Sequence, residues 1–123
     1  MESINKLVGK VLSSVVQDED DELIFTLESG EKLHLYHSQD CCETVRIDKI
    51  IGNLGDLVGS PILSAEETIH RKKYGSCPAP PASHDDSWTW TLYRFETAKG
   101  VVEARWFGTS NGYYSEEVSF GSA

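Results

Sequence analysis

The densest group of reactive side chains in the sequence is the segment from His37 to Glu43, which reads His-Ser-Gln-Asp-Cys-Cys-Glu. Imidazole, thiolate and carboxylate groups are transition-metal ligands, and a thiolate beside a histidine base can act as a nucleophile. Two adjacent cysteines are a poor pair of ligands for one tetrahedral ion, however, and the chain has no Cys-x-x-Cys pair. We favour a tight turn in which Asp40 accepts backbone N–H groups and the cysteines fill the interior as small apolar residues.

A second group combines arginine, asparagine and aromatic side chains in the last fifth of the chain. Aromatic rings stack on nucleobases, while arginine and asparagine bond phosphate groups or base edges. The same residue types dominate protein-binding hot spots, and an aromatic core with one exposed arginine is the purely structural alternative. We predict a ligand site that joins this group to the first segment, with the members Arg105, Asn111, Tyr113, Tyr114, His37 and Asp40.

A run of five acidic residues is the third feature: Asp18, Glu19, Asp20, Asp21 and Glu22. Such a run is usually a solvated turn, because like charges repel and favour solvent. The sharper interpretation is a contact for the basic surface of a partner protein. The whole chain has 20 acidic and 11 basic residues, a formal net charge of −9 and a pI near 4.8. This balance argues against direct binding of nucleic acid or of an anionic membrane, since both repel an acidic protein.

Signatures of the common enzyme classes are missing from the sequence. It has no glycine-rich phosphate loop, no Gly-x-Ser-x-Gly, no His-Glu-x-x-His and no zinc-ribbon spacing. We therefore expect a non-enzymatic protein that uses no cofactor and no metal ion. The alternative is a small metal- or thiol-dependent hydrolase centred on His37, Asp40 and Cys41.

Short strands separated by turns must position these groups. Alternating or β-branched residues predict strands over 7–16, 23–28, 31–37, 62–68, 87–97, 101–107 and 113–120. Residues 45–51 fit a strand or a short helix, and residues 53–58 fit a short helix that Gly59 ends. The predicted fold is mainly β, with two antiparallel meanders that form a small sandwich or half-open barrel and with one short helix.

The 123 residues have the length of a single domain, 1–123. Proline, glycine and small polar residues predict a mobile loop over 70–86. A weak internal similarity relates residues 7–45 to residues 57–120, although two β meanders also resemble each other without common origin. In a true duplication, the loops 37–43 and 108–117 would take related positions and form paired candidates for a binding site.

Four segments carry a family resemblance: His-x-Gln-Asp-Cys-Cys-Glu at 37–43, Ile-x-Asn-Leu-Gly-Asp-Leu-Val-Gly-x-Pro-Ile at 51–62, Trp-Thr-Trp-Thr-Leu-Tyr at 88–93 and Arg-Trp-Phe-Gly-Thr-Ser-Asn-Gly-Tyr-Tyr-Ser-Glu at 105–116. Over residues 6–120 the chain resembles a family of small uncharacterised proteins of bacteriophages, prophages and bacteria. The resemblance implies a small acidic accessory protein that works in the cytoplasm. If a phage encodes the protein, this is the cytoplasm of the host cell. Such proteins often inhibit a bacterial defence target by stoichiometric binding. The resemblance implies no activity and no catalytic residue.

Two modes of binding follow as expectations: the acidic run contacts a basic bacterial protein, or the site around Arg105 sequesters a small nucleotide. An oligomerising accessory protein is a third possibility, because strand edges and aromatic residues favour self-assembly. We expect no membrane contact, because no apolar run approaches the ~18 residues that span a bilayer. The first residues lack the basic and apolar segments of a signal peptide, and three cysteines form no disulfide framework, so we expect the reducing cytoplasm.

Overall fold

The computed structural model describes residues 3–71, 87–110 and 114–123. It contains eight strands in these ranges: β1 Leu12–Asp18, β2 Glu22–Leu27, β3 Lys32–Tyr36, β4 Thr44–Ile51, β5 Ser64–Arg71, β6 Ser87–Thr97, β7 Gly100–Ser110 and β8 Ser119–Ser122. Single 3₁₀ turns at Ile4–Leu7 and Leu54–Leu57 precede β1 and β5. The predicted mainly-β fold is confirmed, whereas the short helix expected over 53–58 is only a 3₁₀ turn. No helix in the described ranges is long and apolar enough to cross a membrane.

The strands form two four-stranded antiparallel sheets that exchange their fourth strands. The first sheet has the order β1-β2-β3-β8, and the second has the order β4-β7-β6-β5. Each sheet therefore consists of a meander of three consecutive strands and one strand from the other half of the chain. The first predicted meander is present as β1-β2-β3. The second was expected to consist of β6, β7 and the last strand, but it consists of β5-β6-β7, and the last strand, β8, lies beside β3.

Alternation along the strands places one apolar row of each sheet in a common core. Phe25 of β2 and Phe95 of β6 face each other from opposite sheets, with ring centroids 5.4 Å apart. Trp106 of β7 is fully buried in the same core. Each such side chain contributes on the order of 1.5–3 kcal/mol by leaving water. This core fixes the two sheets face to face and leaves one end of the second sheet's inner face for polar residues.

Equivalent hydrogen bonds join the segments that follow the two 3₁₀ turns. The N–H of Gly9 donates to the carbonyl of Ile62 at 2.8 Å, and the N–H of Gly59 donates to the carbonyl of Leu12 at 3.0 Å. Both glycines have a positive φ, of +84° and +83°, which only glycine adopts without strain. These correspondences support the predicted internal duplication, which stays a prediction.

Several strands begin or end at other residues than the predicted ones. β7 continues to Ser110, so Gly108 lies inside a strand and not in a loop. The strand predicted over 113–120 is only Ser119–Ser122, because Glu116 leaves the strand pattern to bond residues of β6 and β7. β5 includes residues 70–71 of the predicted mobile loop, and the rest of that loop, 72–86, lies outside the described residues.

Candidate functional site

A cavity of about 420 Å³ lies on the inner face of the second sheet, at its open end. β5, β6, the end of β7 and the residues 114–118, here called the wall segment, surround it. Its lining is Glu67, Ile69, Arg71, Ser87, Thr89, Thr91, Ser110, Tyr114, Ser115, Glu116, Glu117 and Val118. Most of these side chains are polar, in contrast to the apolar core beside them. The volume lies within the usual range of small-molecule sites.

Glu116 is the buried polar centre of this cavity, with 8% of its surface exposed. One carboxylate oxygen, Oε1, accepts the hydroxyl of Thr89 at 2.7 Å, and the other, Oε2, accepts the hydroxyl of Ser110 at 2.5 Å. Both hydroxyl hydrogens are therefore directed to Glu116, whose carboxylate is an acceptor group in the cavity lining.

The edge of the cavity carries a second polar contact, between a buried tyrosine and an exposed glutamate, and a cation. Tyr93 is buried, and its hydroxyl bonds the carboxylate of Glu67. Burial raises the pKa of Tyr93, and the neighbouring Glu67 carboxylate raises it further, so the phenol keeps its proton and donates it. Arg71, at the end of β5, is the cation among the described lining residues and can pair with an anionic group.

The residues 37–43, here called the cysteine turn, are held by a buried carboxylate of their own. Glu43 is 3% exposed and accepts the N–H of Asp40 and the N–H of Cys41, both at 2.9 Å, and His37 Nε2–H at 2.7 Å. The N–H of Cys41, followed by His37 and Asp40, lowers the pKa of Glu43 to about 2, although burial opposes this shift. The carboxylate is thus the centre around which the turn is built.

His37 connects the cysteine turn to the cavity wall. Its Nδ1 lies 2.7 Å from the backbone carbonyl oxygen of Glu117, and its Nε2 contacts Glu43. The two segments that the sequence suggested as paired candidates therefore contact each other, and the turn supports the wall segment from behind.

The interior of the cysteine turn differs from the prediction. Cys41 and Cys42 are both exposed and are joined to each other by a disulfide. Glu43 occupies the interior position instead, because the hydrogen bonds to its carboxylate compensate for its burial. Asp40 does not accept the backbone N–H groups of the turn; it donates its own N–H to Glu43. The described part of the chain contains no group of three or more His, Cys, Asp or Glu side chains placed to hold a metal ion.

The structure brings only part of the predicted ligand site together. Tyr114 lines the cavity, and His37 and Asp40 lie in the cysteine turn behind its wall. Arg105 instead lies on the outer face of the second sheet, where its Nε donates to Glu103 at 3.0 Å. Asn111 and Tyr113 lie outside the described residues.

The cavity residues that sequence reasoning missed share one signal. Thr89 and Thr91 occupy the same face of β6 as Tyr93 and Phe95, so they are polar residues at core-facing positions. A polar group in such a position must find a partner or a ligand, because burial without one destabilises the fold. Glu116 gave the same signal, because alternation over 113–120 places it on one face with Val118 and Phe120.

The acidic run forms the turn between β1 and β2, as expected for its charge. The turn is fastened to the second sheet, because the carbonyl of Asp20 accepts the N–H of Ile47 at 2.6 Å and its carboxylate pairs with Arg46. Glu22 pairs with His34 at 2.5 Å. Of the five predicted partner-binding residues, Asp18, Glu19 and Asp21 remain exposed.

Comparison with known proteins identifies a family for nearly the whole chain. The model of a domain of unknown function (DUF7448) matches residues 5–120, and the chain therefore belongs to that family. This extent agrees with the predicted membership in an uncharacterised family over residues 6–120. The searches of curated proteins and of solved structures found no match.

Proposed function

We propose that this member of the DUF7448 family is a non-enzymatic binding protein that takes a small polar ligand into the cavity beside Glu116. The observation that carries the proposal is a carboxylate with 8% exposure, held by two hydroxyls at the wall of a cavity of about 420 Å³. Buried polar groups stabilise a fold less than apolar packing of the same volume. A ligand that uses these groups accounts for their presence in the sandwich.

The arrangement of the lining supports a nucleotide as the ligand. Glu116 can accept bonds from a donor-rich base, and Tyr114 supplies an aromatic ring in the same cavity. Arg71, which is paired with Thr89 between β5 and β6, can pair with a phosphate from the same lining. Sequestering such a nucleotide is a stoichiometric mode of action, and it agrees with the inhibition of a bacterial target that the family resemblance implies.

Native mass spectrometry of the protein purified from a bacterial cytoplasm tests this function. We expect a bound small molecule in the wild type and at least roughly tenfold weaker binding in Glu116→Gln, because a bond from a charged acceptor contributes on the order of 1.5–3 kcal/mol. Glu96→Gln, at a partly exposed position away from the cavity, is the matched control and should bind as the wild type does. A clean unliganded mass, together with no thermal shift for any nucleotide, contradicts the proposal.

A second candidate function is binding of a basic protein surface by the acidic turn. It rests on the exposure of Asp18, Glu19 and Asp21 at the tip of the β1–β2 hairpin. The pair between Asp20 and Arg46 and the backbone bond to Ile47 hold this tip in one position. A fixed, acidic, exposed hairpin is suited to electrostatic recognition, because its charges need no ordering on association.

Charge reversal in the acidic turn tests the second candidate. We expect the double variant Asp18→Lys/Asp21→Lys to bind a captured partner roughly tenfold more weakly at low salt. Its association rate should also lose most of its salt dependence. Glu28→Lys/Asp48→Lys changes the net charge by the same amount at two exposed positions elsewhere and is the control. Equal binding by both double variants, measured by surface plasmon resonance at two salt concentrations, argues against this function.

A further inference from the structure

We propose that the ligand of the cavity presents two parallel N–H donors to Glu116, the edge shared by guanine bases and guanidinium compounds. This inference rests on the proposed function, since it specifies what the same cavity binds. It starts from the way in which Glu116 is held. Thr89 of β6 bonds Oε1, and Ser110 at the end of β7 bonds Oε2, so each oxygen accepts one protein hydroxyl.

The carboxylate keeps one acceptor position on each oxygen. An ionised carboxylate has about four lone-pair positions, of which the two hydroxyls occupy two. A bidentate pair with two parallel N–H groups uses one acceptor position on each of the two oxygens. A ligand with a single donor satisfies only one of them, and the other stays buried without a partner.

The carboxylate itself selects between base edges. The hydroxyls of Thr89 and Ser110 donate to it, so neither of these two groups offers the ligand that hydrogen. An adenine edge places an acceptor nitrogen beside its amino group, and that nitrogen would face a carboxylate oxygen. Glu116 therefore disfavours an adenine edge and favours a guanine or guanidinium edge.

Arg71 distinguishes the two classes of ligand that carry this edge, guanine nucleotides and free guanidinium compounds. A guanine nucleotide carries phosphate, which the Arg71 guanidinium can pair with from its place in the lining. A free guanidinium compound carries positive charge, which Arg71 repels. Removal of Arg71 should consequently weaken a guanine nucleotide and leave a guanidinium compound unchanged or bound more tightly.

Isothermal titration of the full chain with matched pairs of compounds tests the inference. The pairs are guanosine and adenosine monophosphate, and agmatine and putrescine, which lacks the guanidinium group. We expect the guanine or the guanidinium member to bind at least about tenfold tighter than its partner compound. Glu116→Gln should remove that preference, because an amide keeps one acceptor oxygen and adds a donor, whereas Glu96→Gln should retain it.

The wild-type comparison needs no variant, so it decides the inference even if Glu116→Gln folds poorly. Arg71→Ala then assigns the source, since only the nucleotide should weaken. Equal binding of both members in each pair, or no binding of any, overturns the inference. In that case the proposed function stands if native mass spectrometry finds a different bound molecule that Glu116→Gln loses, and it falls if the wild type carries none.

Discussion

Glu43→Gln is expected to lower the thermal unfolding midpoint by roughly 10 °C, although the two side chains have nearly the same size and shape. The Glu43 carboxylate accepts the N–H groups of Asp40 and Cys41 and the Nε2–H of His37, and it is buried. A glutamine amide has one acceptor oxygen, and its NH₂ group would face a donor. At least one buried N–H therefore loses its partner, which destabilises the folded state.

The same carboxylate makes stability sensitive to acid. The pKa of Glu43 is about 2 in the folded protein, against an ordinary value of 4.5 in the unfolded chain. A pKa that folding lowers contributes stability that is fully present above pH 4.5 and is lost as the pH falls from 4.5 towards 2. The wild type should lose more stability across this window than Glu43→Gln, in which no carboxylate titrates at this position.

Urea unfolding at several pH values between neutrality and 2.5 measures this difference. Glu28→Gln, at an exposed position in the β2–β3 turn, is the control and should keep both the midpoint and the acid sensitivity of the wild type. Parallel pH profiles for the wild type and Glu43→Gln would mean that other carboxylates dominate acid unfolding. Because His37 joins Glu43 to the carbonyl of Glu117, we also expect Glu43→Gln to weaken ligand binding through the wall segment.

Local patterns predicted the strands well and the assembly of the strands less well. Strict alternation gave β6 its observed bounds, Ser87–Thr97, because every second side chain enters the core. The position of β8 was missed, since a meander pattern does not specify which free sheet edge a later strand joins. β8 reaches β3, about 85 residues earlier in the chain, and such a distant pairing leaves no local signal.

The candidate site was hard to predict for a related reason. Thr89 and Glu116 meet although 27 residues separate them, and no motif links them in sequence. Alternation along β7 did contain information on Arg105, because odd positions point outward and Ser110 points inward. Grouping residues by chemical type placed Arg105 with Tyr114, whereas Arg105 lies on the outward face of β7 and Tyr114 lines the cavity on the inner side.

Gly52→Ala is expected to destabilise the fold by roughly 2–4 kcal/mol, the sum of backbone strain and steric overlap. Gly52 follows β4 and has a φ of +101°, which side chains other than glycine rarely adopt. A Cβ there would lie 2.6 Å from the carbonyl oxygen of Val101 and 3.3 Å from the Cα of Val102. Both contacts are backbone atoms of β7, so they cannot rotate away.

Two other glycines separate the causes of this effect. Gly9→Ala adds only the strain of a positive φ, because nothing lies within 4 Å of its Cβ, and should cost about 1 kcal/mol. Gly121→Ala meets neither strain nor contact and should be close to neutral. In urea unfolding, the loss of stability should be largest for Gly52→Ala, smaller for Gly9→Ala and smallest for Gly121→Ala. If the Gly52 variant is as stable as the Gly9 variant, the backbone of β7 moves away from the added Cβ without measurable cost. The close contact between Gly52 and β7 would then not determine where β4 ends.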